Sequence, residues 1–111
     1  KKYLLHVITN GFEEVQHIKM AQSKLTKYFD QIITSEAAGA KKPNPLVFEY
    51  AIKKSGASLE NSVMIGDDLN TDITGAINIG MKSIYFNPNF KKHDYVVWKE
   101  VESLSEIKNI L

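Results

Sequence analysis

The sequence contains no cysteine and no arginine, so all fourteen of its basic residues are lysines. Without cysteine there is no disulfide, no zinc–thiolate site and no thiol nucleophile. Without arginine the planar fork that reads guanine edges or grips a buried phosphate is missing. Long apolar runs are missing too. None exceeds five residues, against the roughly 20 that a membrane span needs. Tyr3-Leu4-Leu5 behind Lys1-Lys2 is too short for a signal peptide, and the expected compartment is cytoplasmic. Charge of one sign is not in excess either. Fourteen basic against thirteen acidic residues leave a net charge of +1, so no global field points to nucleic acid or to an anionic membrane.

What is present is a globular composition, 43% apolar and 24% charged over 111 residues. That length suits one domain and is too short for two with full cores. No internal repeat, low-complexity segment or linker is visible. The chain opens on Lys1, not Met, and runs at once into an apolar segment, which reads either as the loss of a tag or signal or as a piece of a longer protein.

Short apolar runs alternate with helical periodicity. Leu4 to Ile8 reads as a buried strand closed by the turn cluster Thr9-Asn10-Gly11. From Glu13 to about Lys27, Val15, Ile18, Ala21 and Leu25 recur at helical steps. Phe29 to Thr34 reads as a second strand, followed by a loop through Gly39 and Lys42-Pro43-Asn44-Pro45. Asn44 suits an N-cap and Pro45 the first helical position; the helix would bury Val47, Phe48, Ala51 and Ile52 and stop at Gly56. Val63-Met64-Ile65 is a third strand, ending in Gly66-Asp67-Asp68. A helix from about Thr71 would then bury Ile73, Ala76 and Ile77 and end at Gly80. Ser83 to Phe86 is a fourth strand, Asn87-Pro88-Asn89 a turn, and Tyr95 to Trp98 a fifth strand. Ser103 and Glu106 have the spacing of a capping box for a last helix. Strands alternating with helices predict an α/β fold, a three-layer Rossmann-like parallel sheet with right-handed crossovers.

In such sheets the active crevice lies at the carboxyl ends of the strands. Three of those ends carry chemistry: Thr9 and Asn10, then Lys42, then Asp67, Asp68 and Asp72. A hydroxyl, main-chain N–H groups, an ammonium and a carboxylate cluster suit a phosphate with a divalent cation. Each feature also has an ordinary reading. Thr-Asn-Gly is a common turn, a lysine before proline is commonly a solvated loop residue, and Gly-Asp-Asp can lead into a helix cap. Three carboxylates within six residues repel one another, however, unless a cation or base sits among them. It is the joint occurrence, in order and at successive strand ends, that is specific.

Ile8-Thr9-Asn10-Gly11, Lys42-Pro43 and Gly66-Asp67 with Asp72 resemble motifs II, III and IV of the haloacid dehalogenase-like (HAD) hydrolase superfamily. The resemblance runs from about residue 4 to residue 87, and the last motif, a Gly-Asp followed by Asp72, is its most specific part. Thr9-Asn10-Gly11-Phe12, Tyr28-Phe29-Asp30 and Ser35 to Pro43 look like the pyrimidine 5'-nucleotidase branch. The resemblance implies that Thr9 and the Asn10 N–H bind the phosphoryl group and that Lys42 neutralises its charge. It further implies that Asp67 binds Mg²⁺ directly, Asp72 supports it and Asp68 assists. The substrate would be a small phosphate monoester, with nucleoside monophosphates as first candidates.

One family feature is missing. Motif I is an Asp-x-Asp run at the end of the central strand, supplying nucleophile and general acid–base, and no Asp-x-Asp occurs in this sequence. In the family's strand order, 5-4-1-2-3, the missing strand lies at the centre of the sheet, so the predicted sheet is incomplete. Residues 1–111 then read as the C-terminal part of a HAD-like core. Motif I, any helical cap and the aspartyl-phosphate intermediate would lie upstream, and the partner would be that N-terminal segment or a second copy. Only 32 residues separate Thr9 from Lys42, which a helix and a strand use up, so no cap fits between motifs II and III.

Three other readings compete. A receiver domain uses similar groups but in the chain order acids, hydroxyl, lysine, which is not the order here. A HAD-fold dehalogenase would resemble Ser-x-Asn where this chain has Gly66-Asp67. A non-catalytic Rossmann-like interaction domain would account for the missing nucleophile. His6, His17 and His93 lack a partner constellation and receive no role, and Tyr95 and Trp98 read as core or edge residues. The missing aspartate makes a direct prediction. Residues 1–111 alone should show no Mg²⁺-dependent phosphatase turnover, and activity should return when a segment carrying Asp-x-Asp is supplied in cis or in trans. Robust turnover by residues 1–111 would overturn the role given to that segment.

Overall fold

A strand whose neighbour runs parallel must return by a crossover, and that pattern organises this chain. The computed structural model describes residues 3–10 and 30–111. The helix expected over 13–27, with His17, lies outside the described residues, as do Gly11, Phe12, Tyr28 and Phe29. Two compact units, Lys1–Ser58 and Leu59–Leu111, hold one ladder each. The architecture is α/β, every ladder is parallel, and helices flank the strands.

In the first unit His6–Thr9 (β1) pairs with Gln31–Thr34 (β2) in a register that sets Val7 beside Ile32 and Thr9 beside Thr34. The first strand is shorter than the apolar run suggests, since Leu4 and Leu5 are exposed and precede it. Polar His6 and Thr9 complete the ladder because pairing is set by the main chain and by the match to Ile32 and Ile33. β2 passes directly into one helical turn, Ser35–Ala38 (α1), whose cap is the Thr34 hydroxyl accepting from the Ala37 N–H at 3.1 Å.

Pro45–Ser55 (α2) forms as the spacing predicts. Asn44 Oδ1 accepts from the Leu46 N–H at 2.9 Å, Pro45 opens the helix, and Lys53 and Lys54 lie in its last turn, favourable for the dipole. Gly56 stops it at φ +72°, a left-handed conformation that glycine adopts without steric cost, while the Ala57 N–H reaches back to the Ile52 carbonyl. Val47, Phe48 and Ala51 are buried and α2 packs on β1 and β2. Ile52, expected in the core, is half-buried.

In the second unit Val63–Gly66 (β3), Lys82–Phe86 (β4) and Lys99–Val101 (β5) form a three-stranded ladder with β4 in the middle. Thr74–Ile79 (α3) connects β3 to β4, packs on β4 and ends at Gly80. Ile73, Ala76, Met81, Ile84, Tyr85 and Val101 are buried. Ile77, expected on the core face, is 42% exposed, because the wide turn before α3 rotates its apolar stripe away from a straight helix from Thr71.

The fifth strand is not Tyr95–Trp98 but Lys99–Val101. The apolar run loses to Val101, which is 2% exposed and fills the core, while Val96 is 86% exposed. Trp98 instead lies under two ammonium groups, with Lys82 Nζ 4.7 Å and Lys99 Nζ 5.7 Å from its ring centroid. The capping box forms as expected, with Glu106 accepting from the N–H groups of Glu102 and Ser103, but the segment it opens, Leu104–Asn109, is a 3₁₀ helix. Among the described residues no helix is long and apolar enough to cross a membrane.

A polar knot closes the segment between β4 and β5. Asn87 donates to Glu100 Oε2 at 2.9 Å and to the Lys91 carbonyl, and its own oxygen accepts from the Lys91 N–H. His93 Nε2 lies 2.7 Å from Glu100 Oε1 while its Nδ1 accepts from the Tyr95 N–H, so Nε2 is the donor. His93 also meets Tyr85 edge to face. The histidine without a sequence partner is therefore a structural one. The Asn87 bond first, and His93 second, hold the Glu100 carboxyl below the usual glutamate range. A folded pKa lowered in this way adds stability that is complete above the unfolded carboxyl pKa and is lost as pH falls through the folded one. Carboxyl ¹³C titration should give Glu100 a midpoint below that of an ordinary glutamate, and Asn87→Ala should raise it. A midpoint in the ordinary range would remove the knot.

Candidate functional site

In the first unit the polar residues gather at the carboxyl end of the ladder. Thr9 is the last residue of β1, inside the strand rather than after it, and is half-buried in register with Thr34. Asn10 follows it and is exposed. Lys42 lies in the turn between α1 and α2, where Gly39 closes the first helix and Asn44 caps the second. Asn10 joins the two segments. Its Oδ1 accepts from the Lys42 N–H at 2.8 Å and its Nδ2 donates to the Lys42 carbonyl at 3.3 Å, across 32 positions of sequence. The structure thus brings Asn10 and Lys42 together. Spacing carried no signal for that side-chain link, because an asparagine amide after a strand can satisfy many turns.

In the second unit the acids follow β3. Asp67 and Asp68 are both exposed, but they are chemically unlike. Asp68 Oδ1 accepts from the N–H groups of Asn70 at 2.9 Å and Thr71 at 3.1 Å, so its carboxylate caps the turn that follows. The ordinary cap reading of Gly-Asp-Asp therefore applies to Asp68. Asp67 makes no hydrogen bond or ion pair among the described residues.

The turn itself is wide. Over Leu69–Ile73 the main chain closes with bonds such as Ile73 N–H to the Asp68 carbonyl, five residues back, at 3.2 Å. Such π turns add a residue to a helical turn and redirect the side chains that follow. Thr74 secures it, its hydroxyl donating to the Leu69 carbonyl at 2.6 Å. The turn carries Asp72 back over Gly66 and buries it to 6% exposure. Glycine is required at 66 for space and not for φ. A Cβ there would fall on Cβ, Cγ and Oδ2 of Asp72, well inside 3.0 Å. The spacing between Gly66 and Asp72 in the sequence is thus the imprint of one side chain packed on one bare Cα.

The field at this end is negative. Burial raises the pKa of the Tyr85 hydroxyl, and the charges of Glu100, Asp67 and Asp68 raise it further. Tyr85 stands in register with Gly66 at the end of the ladder. Carboxylate oxygens are hard donors of the kind Mg²⁺ takes, and the ion keeps several waters where the protein supplies few ligands. Asp67 fits as a direct ligand and Asp72 as its buried neighbour, whereas Asp68 has one oxygen engaged in capping. Among the described residues no three of His, Cys, Asp and Glu form a complete metal cluster.

The sequence profile of the haloacid dehalogenase-like hydrolases matches residues 1–86. A glyceraldehyde 3-phosphate phosphatase from Methanothermobacter thermautotrophicus is 36% identical over the whole chain, which corresponds to 52% of that protein. The pyrimidine 5'-nucleotidase YjjG of Escherichia coli is 34% identical over 95% of the chain, or 48% of its own length. Among solved structures, the magnesium-bound HAD-hydrolase YfnB of Bacillus subtilis superposes with a TM-score of 0.93 over 98% of this chain and 49% of its own, at 29% identity. The chain spans about half the length of the curated relatives it matches. Relatives of similar identity bear different substrate names, so no single branch of the family is favoured.

Gly66→Ala tests the packing that builds the acidic end. The added methyl should displace Asp72 and lower stability by about 1–3 kcal/mol, the usual cost of overpacking a filled site, as read by denaturant unfolding. An unchanged midpoint would mean that Asp72 does not pack on Gly66.

Proposed function

Because the chain belongs to the haloacid dehalogenase-like hydrolase family, we propose that it is the C-terminal part of the core of a Mg²⁺-dependent phosphohydrolase acting on small phosphate monoesters. The observation that carries this reading is the division of labour among the acids. Asp68 has one oxygen engaged in capping, Asp72 is buried against Gly66, and Asp67 remains an exposed carboxylate at the end of a parallel strand. A carboxylate left without a hydrogen-bonding partner in a negative field is suited to a cation. Nucleoside monophosphates remain the first substrate candidates, on the resemblance around Thr9, Asp30 and Ser35–Pro43.

In this reading Asp67 holds the cation, Asp72 supports the site from beneath, and Asp68 shapes the turn that carries both, adding its remaining oxygen. Magnesium, when bound, would supply charge neutralisation at the phosphoryl oxygens. The Thr9 hydroxyl and the Asn10 N–H would donate to those oxygens, and the Lys42 ammonium would offset the charge that accumulates as phosphorus is attacked. The attacking aspartate and the general acid–base belong to an Asp-x-Asp segment outside residues 1–111. Attack by that aspartate would form an aspartyl-phosphate and release the alcohol, and water would then hydrolyse the acyl phosphate.

Such a segment also suits the ladders. Among the described residues β1 is paired only to β2, and β3 only to β4. On β1, His6 Nδ1 is buried without a hydrogen-bond partner among the described residues, an orphan of the kind that a further packed segment commonly satisfies. A second copy of the chain is the alternative source of such a neighbour.

Two measurements test the reading. Lys42→Ala in the complete enzyme should lower kcat by on the order of 10²–10³, the scale for losing one charge-stabilising donor; near-normal turnover would return Lys42 to the solvated loop. Titration with Mg²⁺ should shift amide resonances centred on residues 66–72, and weakly in residues 1–111 alone because part of the ligand set is absent. Shifts centred elsewhere would count against Asp67.

A further inference from the structure

We propose that the Asn10 side chain is a positioning residue for Lys42. It would fix the main chain from which the lysine ammonium reaches the phosphoryl group. The inference rests on the proposed role of Lys42 and assigns a new role to the Asn10 amide, distinct from that of its main-chain N–H.

The geometry is two-sided. One amide takes both polar main-chain groups of one residue, accepting from the Lys42 N–H at 2.8 Å and donating to the Lys42 carbonyl at 3.3 Å. A single bond would leave the peptide planes on either side of Lys42 free to swing. Holding its N–H and its C=O together constrains φ and ψ of that residue, and with them the direction of its Cα–Cβ bond.

That direction matters more for lysine than for most residues. Its charge sits at the end of a flexible four-carbon stem, and nothing in the side chain preorganises it. The turn holding Lys42 lies between one helical turn and the start of α2, away from any ladder bond. Asn10 follows β1 directly, so the clamp refers the lysine's main chain to a paired strand. An asparagine is the side chain suited to this, since it presents donor and acceptor side by side. Aspartate keeps the acceptor but sets a second acceptor against the Lys42 carbonyl.

The test combines a double-mutant cycle with an activity-free readout, on the complete enzyme. Asn10→Ala should lower kcat by roughly tenfold to a hundredfold, the range for a displaced catalytic group, with little change in KM. In a Lys42→Ala background it should cost almost nothing more, because the group it positions is gone. Multiplicative losses, as expected of a merely structural residue, would overturn the inference.

Amide hydrogen exchange at Lys42 is the second arm. It should rise about tenfold in Asn10→Ala, as expected for losing one hydrogen bond, and stay near wild type in Asn10→Asp. Asn10→Asp should nonetheless lose part of its kcat, since the carbonyl half of the clamp is broken. An unchanged Lys42 exchange rate in Asn10→Ala would overturn the clamp. Normal turnover in Lys42→Ala would instead overturn the proposed role of the lysine and with it the catalytic part of the inference, while exchange would still decide the anchor.

Discussion

Parallel pairing is the constraint on which the rest of this structure depends. Neighbouring parallel strands end on the same side, so every loop that follows a strand opens at one end of its ladder. In the first unit the register that sets Thr9 beside Thr34 brings Asn10 to the same end as the turn containing Lys42. In the second, the register that sets Gly66 beside Tyr85 leaves Asp67, Asp68 and Asp72 at the end of β3. Chemistry-bearing residues scattered over sixty positions become two compact polar groups because main-chain hydrogen bonds orient the strands, not because those side chains attract one another. The acids in fact repel, and the buried Tyr85 helps hold the ladder that carries them.

The three carboxylates show how identical chemistry is divided by local geometry. Asp68 meets two N–H groups of the turn that begins after it, so its charge serves capping. Asp72 is brought under the strand end by a turn with one residue more than an ordinary helix, and it is accepted there because Gly66 has no side chain. Asp67, between the bare Cα and the cap, stays exposed and makes no hydrogen bond among the described residues. A straight α-helix beginning at Asp68 would rotate residue 72 away from Gly66, and the bare Cα would then have no purpose. The π turn and the glycine are therefore two halves of one device.

Polar side chains also hold the loops. Asn10 on Lys42, and Asn87 on Lys91, each bond to a main chain that no ladder reaches, and Asn87 also ties that loop to the Glu100 carboxylate on β5. Asparagine recurs in this role because its amide satisfies an N–H and a C=O at once and carries no charge to desolvate.

The sequence by itself determined the alternation of elements, the parallel α/β class, the start and stop of α2 at Asn44 and Gly56, and the capping box at Ser103 and Glu106. These depend on local periodicity, φ preferences and short-range hydrogen bonds, all readable within a few residues. The candidate residues Thr9, Asn10, Lys42, Asp67, Asp68 and Asp72 were legible as a pattern, though not their separate tasks. Tertiary structure decided what depends on neighbours distant in sequence. Val101, not the apolar run from Tyr95 to Trp98, fills the place beside β4, because a buried position selects the side chain that fits rather than the most hydrophobic stretch. Leu4 and Leu5 stay exposed because the ladder begins only at His6, and Ile77 because the wide turn rotates it off the core face. The Asn10–Lys42 clamp has the same origin: no propensity links positions 32 residues apart, and only the folding of one ladder places them within a hydrogen bond of each other.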